Sequence, residues 1–274
     1  MKLLKPLLLT ILAVSLGFVL VVQAQIDPDT QTLIRQQPTH EAEMEQLQAQ
    51  YKSYLSVYRN TSGQYEISVA QYFQLETLAS LEKAIQDIRQ VMVARNQVLD
   101  TYVKILRLEL TDTHGPTLSD KQQAITDLEA IEVKIADYQL KVEASIDRPG
   151  IESRIAEFET LGLEIQSASY QALSLISFGR LQTNYDQTQS FMSVVEEKIG
   201  ERNSGNLLAE KKRAKEEILT KLGQIKQELE KSYQKVHPQS ESFSQGNYNS
   251  LLSELESIYV QLVQVDNYLE EVLR

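Results

Sequence analysis

The chain has 274 residues, a formal net charge of −11, no cysteine and no tryptophan. The lack of cysteine excludes a disulfide framework, a thiolate metal site, a cysteine nucleophile and a cysteine-linked lipid anchor. An acidic chain without a basic face is a poor candidate for binding nucleic acid. With only 10 glycines, 6 prolines and many good helix formers, the composition favours long helices held together by packing.

Residues 1–24 have the features of a secretory signal. Two early lysines precede the uncharged apolar run 7–22, and the small residues Val22 and Ala24 stand just before Gln25. The run is shorter than the roughly 20 residues of a comfortable spanning helix. We therefore predict cleavage between Ala24 and Gln25, with an uncleaved anchor as the alternative. Either outcome places the protein in the periplasm, at the cell surface or in the secreted space, with membrane contact only through the N-terminal segment if it is not cleaved.

Removal of residues 1–24 would take away two lysines and no acid, which changes the formal net charge from −11 to −13. Residues 25–38 are polar and contain two prolines, which indicates a linker. Residues 39–274 are predicted to form one helical-bundle domain. The interruption at 60–63 (Asn-Thr-Ser-Gly) predicts a break near the start of that domain.

A row of tyrosines follows the first predicted helix and continues across the interruption. Its members lie three, four or seven residues apart, which puts them on one helix face: Tyr51, Tyr54, Tyr58, Tyr65 and Tyr72. The row is a candidate interaction face for a sugar or a partner helix. The alternative is a packing row that buries its rings and leaves its hydroxyls in water.

The segment from 65 to 112 has the strongest heptad pattern. One apolar row repeats every seven residues, at Leu78, Ile85, Met92, Leu99 and Leu106. A second row, Leu81, Ile88 and Tyr102, is interrupted by Arg95. A stripe of this width indicates a helix that contacts several neighbours, as in a bundle.

Four further helices are predicted. Ser119 and Gln122 have the spacing of a capping box, and Pro149 suits the first turn of a helix. The helices are expected at 119–146, 151–200, 206–236 and 248–272. The fold prediction is therefore all-α: an elongated antiparallel helical bundle or coiled coil of about six helices, two of them near 50 residues. A match between the third and fifth helices at a shift of 94 residues leaves an internal duplication open.

The segment 165–195 contains only two charged residues, Arg180 and Asp186, and many small ones. It is predicted to be a central helix, because small residues let other helices approach closely. A polar interior that holds a small ligand and a membrane-inserting stretch of a pore-forming protein are the alternatives. The many Gln, Ser, Thr and Asn side chains argue against insertion into lipid.

No sequence motif points to catalysis. The three histidines, His40, His114 and His237, lie at predicted helix ends and lack the spacing of metal ligands. The basic cluster 211–215 is flanked by glutamates and reads as surface ion pairs. No catalytic, cofactor-binding or metal site is predicted, and we do not expect an enzyme.

These observations predict an exported helical-bundle or coiled-coil protein with a structural or protein-interaction role, as a scaffold or adaptor in the cell envelope or secreted space. Its expected partners are proteins or further copies of itself, which it contacts through helix faces. The alternative is an extracytoplasmic ligand-binding or sensing bundle, and a helical pore-forming protein is more distant.

Overall fold

The computed structural model describes residues 37–201, 206–236 and 243–273, which form six α-helices and no strand within these ranges. The predicted signal cleavage between Ala24 and Gln25, most of the predicted linker and His237 lie outside them. The predicted all-α helical bundle is confirmed. The helices are α1 Gln37–Leu75, α2 Leu78–Asp112, α3 Leu118–Ala144, α4 Arg148–Glu201, α5 Asn206–Val236 and α6 Gln245–Leu273.

Helix α4 is the element around which the others are arranged. It is 54 residues long, or about 80 Å at the rise of an α-helix, and it contacts α2, α3, α5 and α6. This is the central position that its small and uncharged residues predict. Its buried apolar residues run through both halves of the helix: Ile151, Leu161, Ile165, Ala172, Leu175, Ile176, Phe178, Leu181, Tyr185, Met192 and Val195.

The first half of α4 lies antiparallel to α3. Lys134 forms an ion pair with Glu164 at 2.7 Å, and Lys141 forms one with Glu157 at 2.6 Å, so residue numbers rise on one helix as they fall on the other. All four side chains are largely accessible to solvent, so these pairs set the register more than they add stability. Helix α2 contacts both α3 and α4 and completes this group of three.

The second half of α4 forms an equivalent group with α5 and α6. The Thr188 hydroxyl donates a hydrogen bond of 2.9 Å to the Asp266 carboxylate of α6. Helices α5 and α6 are antiparallel to each other, and the Gln261 amide donates to the Glu228 carboxylate at 2.9 Å. Five of the six described helices thus form two groups of three that share the continuous helix α4, and α1 packs its Tyr51 ring near Tyr102 of α2.

The turn between α2 and α3 packs directly against the middle of α4, at Gly179. A Cβ atom at Gly179 would lie 2.2 Å from Thr113 Cγ2 and 2.3 Å from the His114 carbonyl oxygen. Within the turn, Gly115 has a φ of 101°, which side-chain-bearing residues rarely adopt. Glycine at 179 therefore permits the contact, and glycine at 115 permits the turn.

A hydrogen-bonded tyrosine joins the two groups of helices at the same level. The Tyr233 hydroxyl of α5 donates to the buried Asp120 carboxylate of α3 and accepts from the Thr117 backbone N–H at 2.8 Å. Its ring lies 4.7 Å from the ring of Phe178 on α4. Burial raises the pKa of Tyr233, and the hydrogen bond to Asp120 acts in the same direction.

The break predicted at 60–63 is wrong, because α1 runs through this segment without interruption. The Thr61 hydroxyl donates to the Val57 carbonyl oxygen at 3.0 Å, which satisfies it within the helix. Nothing lies within 4 Å of a Cβ built on Gly63, so this glycine costs only its backbone entropy. Asn, Ser and Gly, which often favour turns, thus occur here within a continuous helix.

The chain reverses instead at Glu76 and Thr77. Glu76 has a φ of 50°, the left-handed conformation that ends many helices. The Thr77 side chain then caps α2 in a reciprocal capping box with Ser80. Residue types do not predict a helix end here, because a glutamate seldom occupies a left-handed position.

Two smaller predictions are also corrected. Leu78, which was expected in a core row, is 71% exposed because it is the first residue of α2 and extends past its neighbours. The cap of α3 is Thr117, whose hydroxyl accepts from the Asp120 N–H at 3.2 Å, and it replaces the predicted box of Ser119 and Gln122.

We predict that Gly179→Ala destabilises the fold, whereas Gly223→Ala stabilises it. The added methyl at Gly179 overlaps a backbone carbonyl, which overpacking costs place at about 1–3 kcal/mol or more. Gly223 lies in α5 with nothing within 4 Å of its Cβ position, so alanine there gains up to about 1 kcal/mol of helix propensity. Urea unfolding followed by circular dichroism measures both, and equal effects would contradict the close contact at Gly179.

Candidate functional site

The interruption in the second heptad row, Arg95, lies in a box of aromatic rings. Its side chain is 5% exposed. The guanidinium carbon is 3.2 Å from the ring centroid of Phe158 on α4, and Nη2 donates to the Tyr138 hydroxyl of α3 at 3.3 Å. Tyr58 of α1 lies within electrostatic range. One aromatic residue from each of three helices therefore surrounds an arginine of the fourth.

The positive charge of Arg95 has no carboxylate partner among the described residues. Burial lowers the pKa of Arg95, and the Tyr138 and Tyr58 side chains act in the opposite direction. The side chain nevertheless stays protonated, because arginine is not deprotonated in proteins. A desolvated contact between a cation and a ring contributes about 2 kcal/mol, which offsets part of a burial cost of several kcal/mol.

The Tyr138 hydroxyl is oriented for this contact by a second hydrogen bond. It donates to the backbone carbonyl oxygen of Arg154 at 2.8 Å, which leaves its lone pairs to accept from Arg95. The Nε atom of Arg95 has no hydrogen-bond partner within the described part of the chain. The box therefore satisfies the guanidinium only in part.

One heptad further along α2, Tyr102 belongs to a cluster of four tyrosines. Its ring lies 6.3 Å from that of Tyr51 on α1, and it is within electrostatic range of Tyr170 on α4 and Tyr248 on α6. The last two rings are stacked at 5.2 Å. Burial raises the pKa of Tyr102 far above its usual value, and Tyr51 is the next contributor. The cluster joins side chains from four helices.

Several buried polar atoms near these two sites lack a hydrogen-bond partner in the described ranges: Ser169 Oγ, Tyr170 OH, Gln171 Nε2, both amide atoms of Asn96, and Asp87 Oδ2. Buried groups of this kind are commonly satisfied by ordered water. Residues 169–171 are consecutive and so project about 100° apart around α4. They make the interior polar without converging on one ligand.

An open groove of about 450 Å³ lies beside the box, between α1, α2 and the end of α3. Its lining mixes apolar and polar side chains: Val57, Thr61, Arg89, Gln90, Val93, Ala94, Gln97 and Glu143. It contains one basic residue, Arg89, and one acidic residue, Glu143, and the Thr61 hydroxyl donates to backbone carbonyl oxygens within α1. The lining thus lacks the convergent groups that acid–base or nucleophilic chemistry requires.

The five tyrosines of the predicted interaction face are all half-buried in α1: Tyr51, Tyr54, Tyr58, Tyr65 and Tyr72. Two of them approach α2, because Tyr51 contacts Tyr102 and Tyr58 lies near Arg95. Burial raises the pKa of Tyr65 as well. That the row also contacts a partner stays a prediction.

His40 is partly buried near the start of α1, and His114 is exposed in the turn after α2. Over the described residues, no three His, Asp or Glu side chains are grouped as metal ligands. The aromatic box around Arg95 was not identified from the sequence. The sequence feature that points to it is a charged residue, Arg95, in an otherwise apolar heptad row. This feature identifies the arginine but not the aromatic residues around it.

Comparison with protein-family models, curated proteins and solved structures gave no match. In the part of the chain that the structure describes, no helix combines the length and the apolar character needed to cross a bilayer. The site is therefore interpreted from its own geometry.

We predict that Arg95→Met keeps or increases stability, whereas Arg95→Lys lowers it by about 1–3 kcal/mol. Methionine fills a similar volume without a buried charge. Lysine keeps the charge but loses the planar contact with Phe158. The free energy of unfolding in urea tests both variants. A loss of several kcal/mol in Arg95→Met would show that the charge has a compensating anion, contrary to this account.

A second prediction concerns pH and Asp266. Burial raises the pKa of Asp266 above 3.8, although the Thr188 hydroxyl partly opposes the shift. The folded state therefore favours the protonated carboxyl. Its contribution to the free energy of unfolding is fully present below about pH 3.8 and is lost as the pH rises through the pKa that Asp266 has in the folded state. Asp266→Asn retains an acceptor for Thr188 and avoids that loss. We expect Asp266→Asn to raise the melting temperature at neutral pH and to have little effect below pH 3.8. A lower melting temperature at neutral pH would contradict a raised pKa of Asp266.

Proposed function

We propose that this protein is an exported helical-bundle protein with a structural or protein-binding role, as a scaffold or adaptor outside the cytoplasm. The observation that carries the proposal is a second apolar stripe on α3. Val133 and Leu140 lie seven residues apart, and each is 66% exposed. Ala136, also exposed, lies between them.

The stripe lies on the side of α3 opposite its core. The core side is formed by Ile131, Ile135, Tyr138 and Val142, all at most 5% exposed. At 100° per residue, Val133 and Leu140 project away from these residues. A helix with apolar residues at heptad spacing on both faces is typical of one that packs against a further helix. The expected partner is therefore an α-helix with its own apolar stripe, from a second copy or from another protein.

Export is supported by the sequence of residues 1–24. A role without catalysis is supported by the composition of the two buried sites. Arg95 contacts an aromatic ring and a tyrosine hydroxyl, and the cluster around Tyr102 consists of tyrosine side chains. Neither site pairs a nucleophile with a base.

A ligand-binding or sensing bundle is the second candidate, favoured by the buried polar atoms without partners at Asn96 and at Ser169 to Gln171. Because residues 169–171 do not converge on one ligand, the polar small molecule would bind at Asn96 and replace the water expected there. A thermal-shift screen that raises the melting temperature of the parent chain, and not of an Asn96→Leu variant, would support it. Shifts of equal size in both would count against it.

The helix-partner proposal is tested by a photo-crosslinking amino acid at Leu140 in cells of the source organism. The matched control is the same substitution at Leu219, an exposed leucine of α5. We expect a discrete crosslinked product from position 140 only, with the size of a dimer if the partner is a second copy. The same products from both positions, or none from either, would contradict the proposal.

A further inference from the structure

Three large apolar side chains surround the turn between α1 and α2. Phe73 is 68% exposed, Leu75 62% and Leu78 71%. We call these residues and the intervening turn the hairpin tip. We propose that the hairpin tip inserts into the surface of a lipid bilayer that carries no net charge.

The hairpin tip is held in one conformation. Glu76 adopts the left-handed φ of 50°, and its N–H donates to the Tyr72 carbonyl oxygen at 2.8 Å. Thr77 and Ser80 exchange capping hydrogen bonds at the start of α2. Conformational strain of this kind at a non-glycine residue concentrates at functional positions. The exposed side chains are thus presented without further ordering of the backbone.

A second turn adds to the same end of the bundle. Arg148, at the start of α4, lies within electrostatic range of Tyr72, so the α3–α4 turn is close to the hairpin tip. That turn contains Ile146, which is 79% exposed. The α3–α4 turn nevertheless lies behind the hairpin tip, because Glu143 at the end of α3 lines the same groove as Arg89 and Gln90 of α2.

The area and form of this surface favour lipid over a protein partner. An aromatic side chain buries about 150–250 Å² and leucine buries less, so the three side chains of the hairpin tip, which are 62–71% exposed, present at most on the order of 400 Å². A stable protein interface needs about 800 Å² from each partner. The side chains also project from turns and do not line a groove. Lipid chains, unlike a protein partner, require no matching shape.

The charges nearby disfavour an anionic surface, because Glu76 within the hairpin tip and Asp147 in the α3–α4 turn are both exposed. Lys83 is paired with Asp87 at 2.6 Å, and Arg148 with Glu152 at 2.8 Å, so neither cation is left to attract anionic headgroups. Tyr72 and Phe73 form an aromatic pair with ring centroids 5.6 Å apart. Aromatic rings of this kind favour the boundary between headgroups and hydrocarbon.

The absence of cysteine allows a site-specific test in the full chain. Leu75→Cys and, as a control, Leu118→Cys are each labelled with an environment-sensitive fluorophore. Leu118 is 81% exposed but lies beyond the other end of α2. The N-terminal apolar segment is common to both proteins, so it cannot account for a difference between them.

With phosphatidylcholine vesicles, we expect a blue shift and an intensity gain of several-fold at position 75 and no change at position 118. Nitroxide-labelled lipid should quench the signal at 75, and added phosphatidylserine should not increase binding. Both labelled proteins should keep the helicity of the parent chain; if Leu75→Cys does not, Phe73→Cys replaces it.

Three results would overturn the proposal. One is an unchanged spectrum at position 75. Another is an equal response at position 118. The third is a shift at 75 that grows with protein concentration without vesicles, because that would identify a second copy as the occupant. None of these results bears on crosslinking at Leu140, so this inference and the proposed function fail separately.

Discussion

The close contact at Gly179 is the constraint on which the arrangement of the described helices depends. It places the turn after α2 against the middle of a helix that continues for 54 residues. Because α4 is continuous at Gly179, the helices that pack on its first half and those that pack on its second half contact the same helix. Tyr233 and Asp120 then link these helices directly, across more than a hundred residues of sequence. Packing and a few buried hydrogen bonds thus hold together a chain that has no cysteine.

The buried polar residues affect the register of the helices, whereas the apolar core mainly holds the helices together. Leu and Ile residues along α3 and α6 bring the helices together without selecting a partner. Arg95, by contrast, contacts one aromatic residue on each of α3 and α4 and lies near one on α1, so a shift in register would bury its charge without those contacts. Polar residues at core positions are known to fix register at some cost in stability. We interpret the box as a device of that kind.

Heptad periodicity was sufficient to predict helices over 119–146, 206–236 and 248–272, because apolar spacing reports which face of a helix is buried. The small and uncharged residues of 165–195 predicted the central place of α4. Sequence reading failed at Asn60 to Gly63 and at Glu76, where local residue preferences and tertiary packing disagree. The aromatic box could be predicted only as far as Arg95 itself. Which rings meet it depends on the relative rotation and register of four helices, and no single helix encodes that. The exposure of Leu78 and Leu140 is likewise a property of what packs beside them.

Outward-facing apolar residues on α3 and at the hairpin tip suggest that the bundle displays contact surfaces around a rigid interior. The two groups of helices are joined across the middle of α4 by the contacts of Tyr233 with Thr117 and Asp120. Nitroxide spin labels at Leu118 and Gln234, both exposed beside the Thr117–Tyr233 contact, test this directly by pulsed electron paramagnetic resonance. The account predicts a single short and narrow distance distribution. A long or broad distribution would show that the groups are not joined there, and would contradict it.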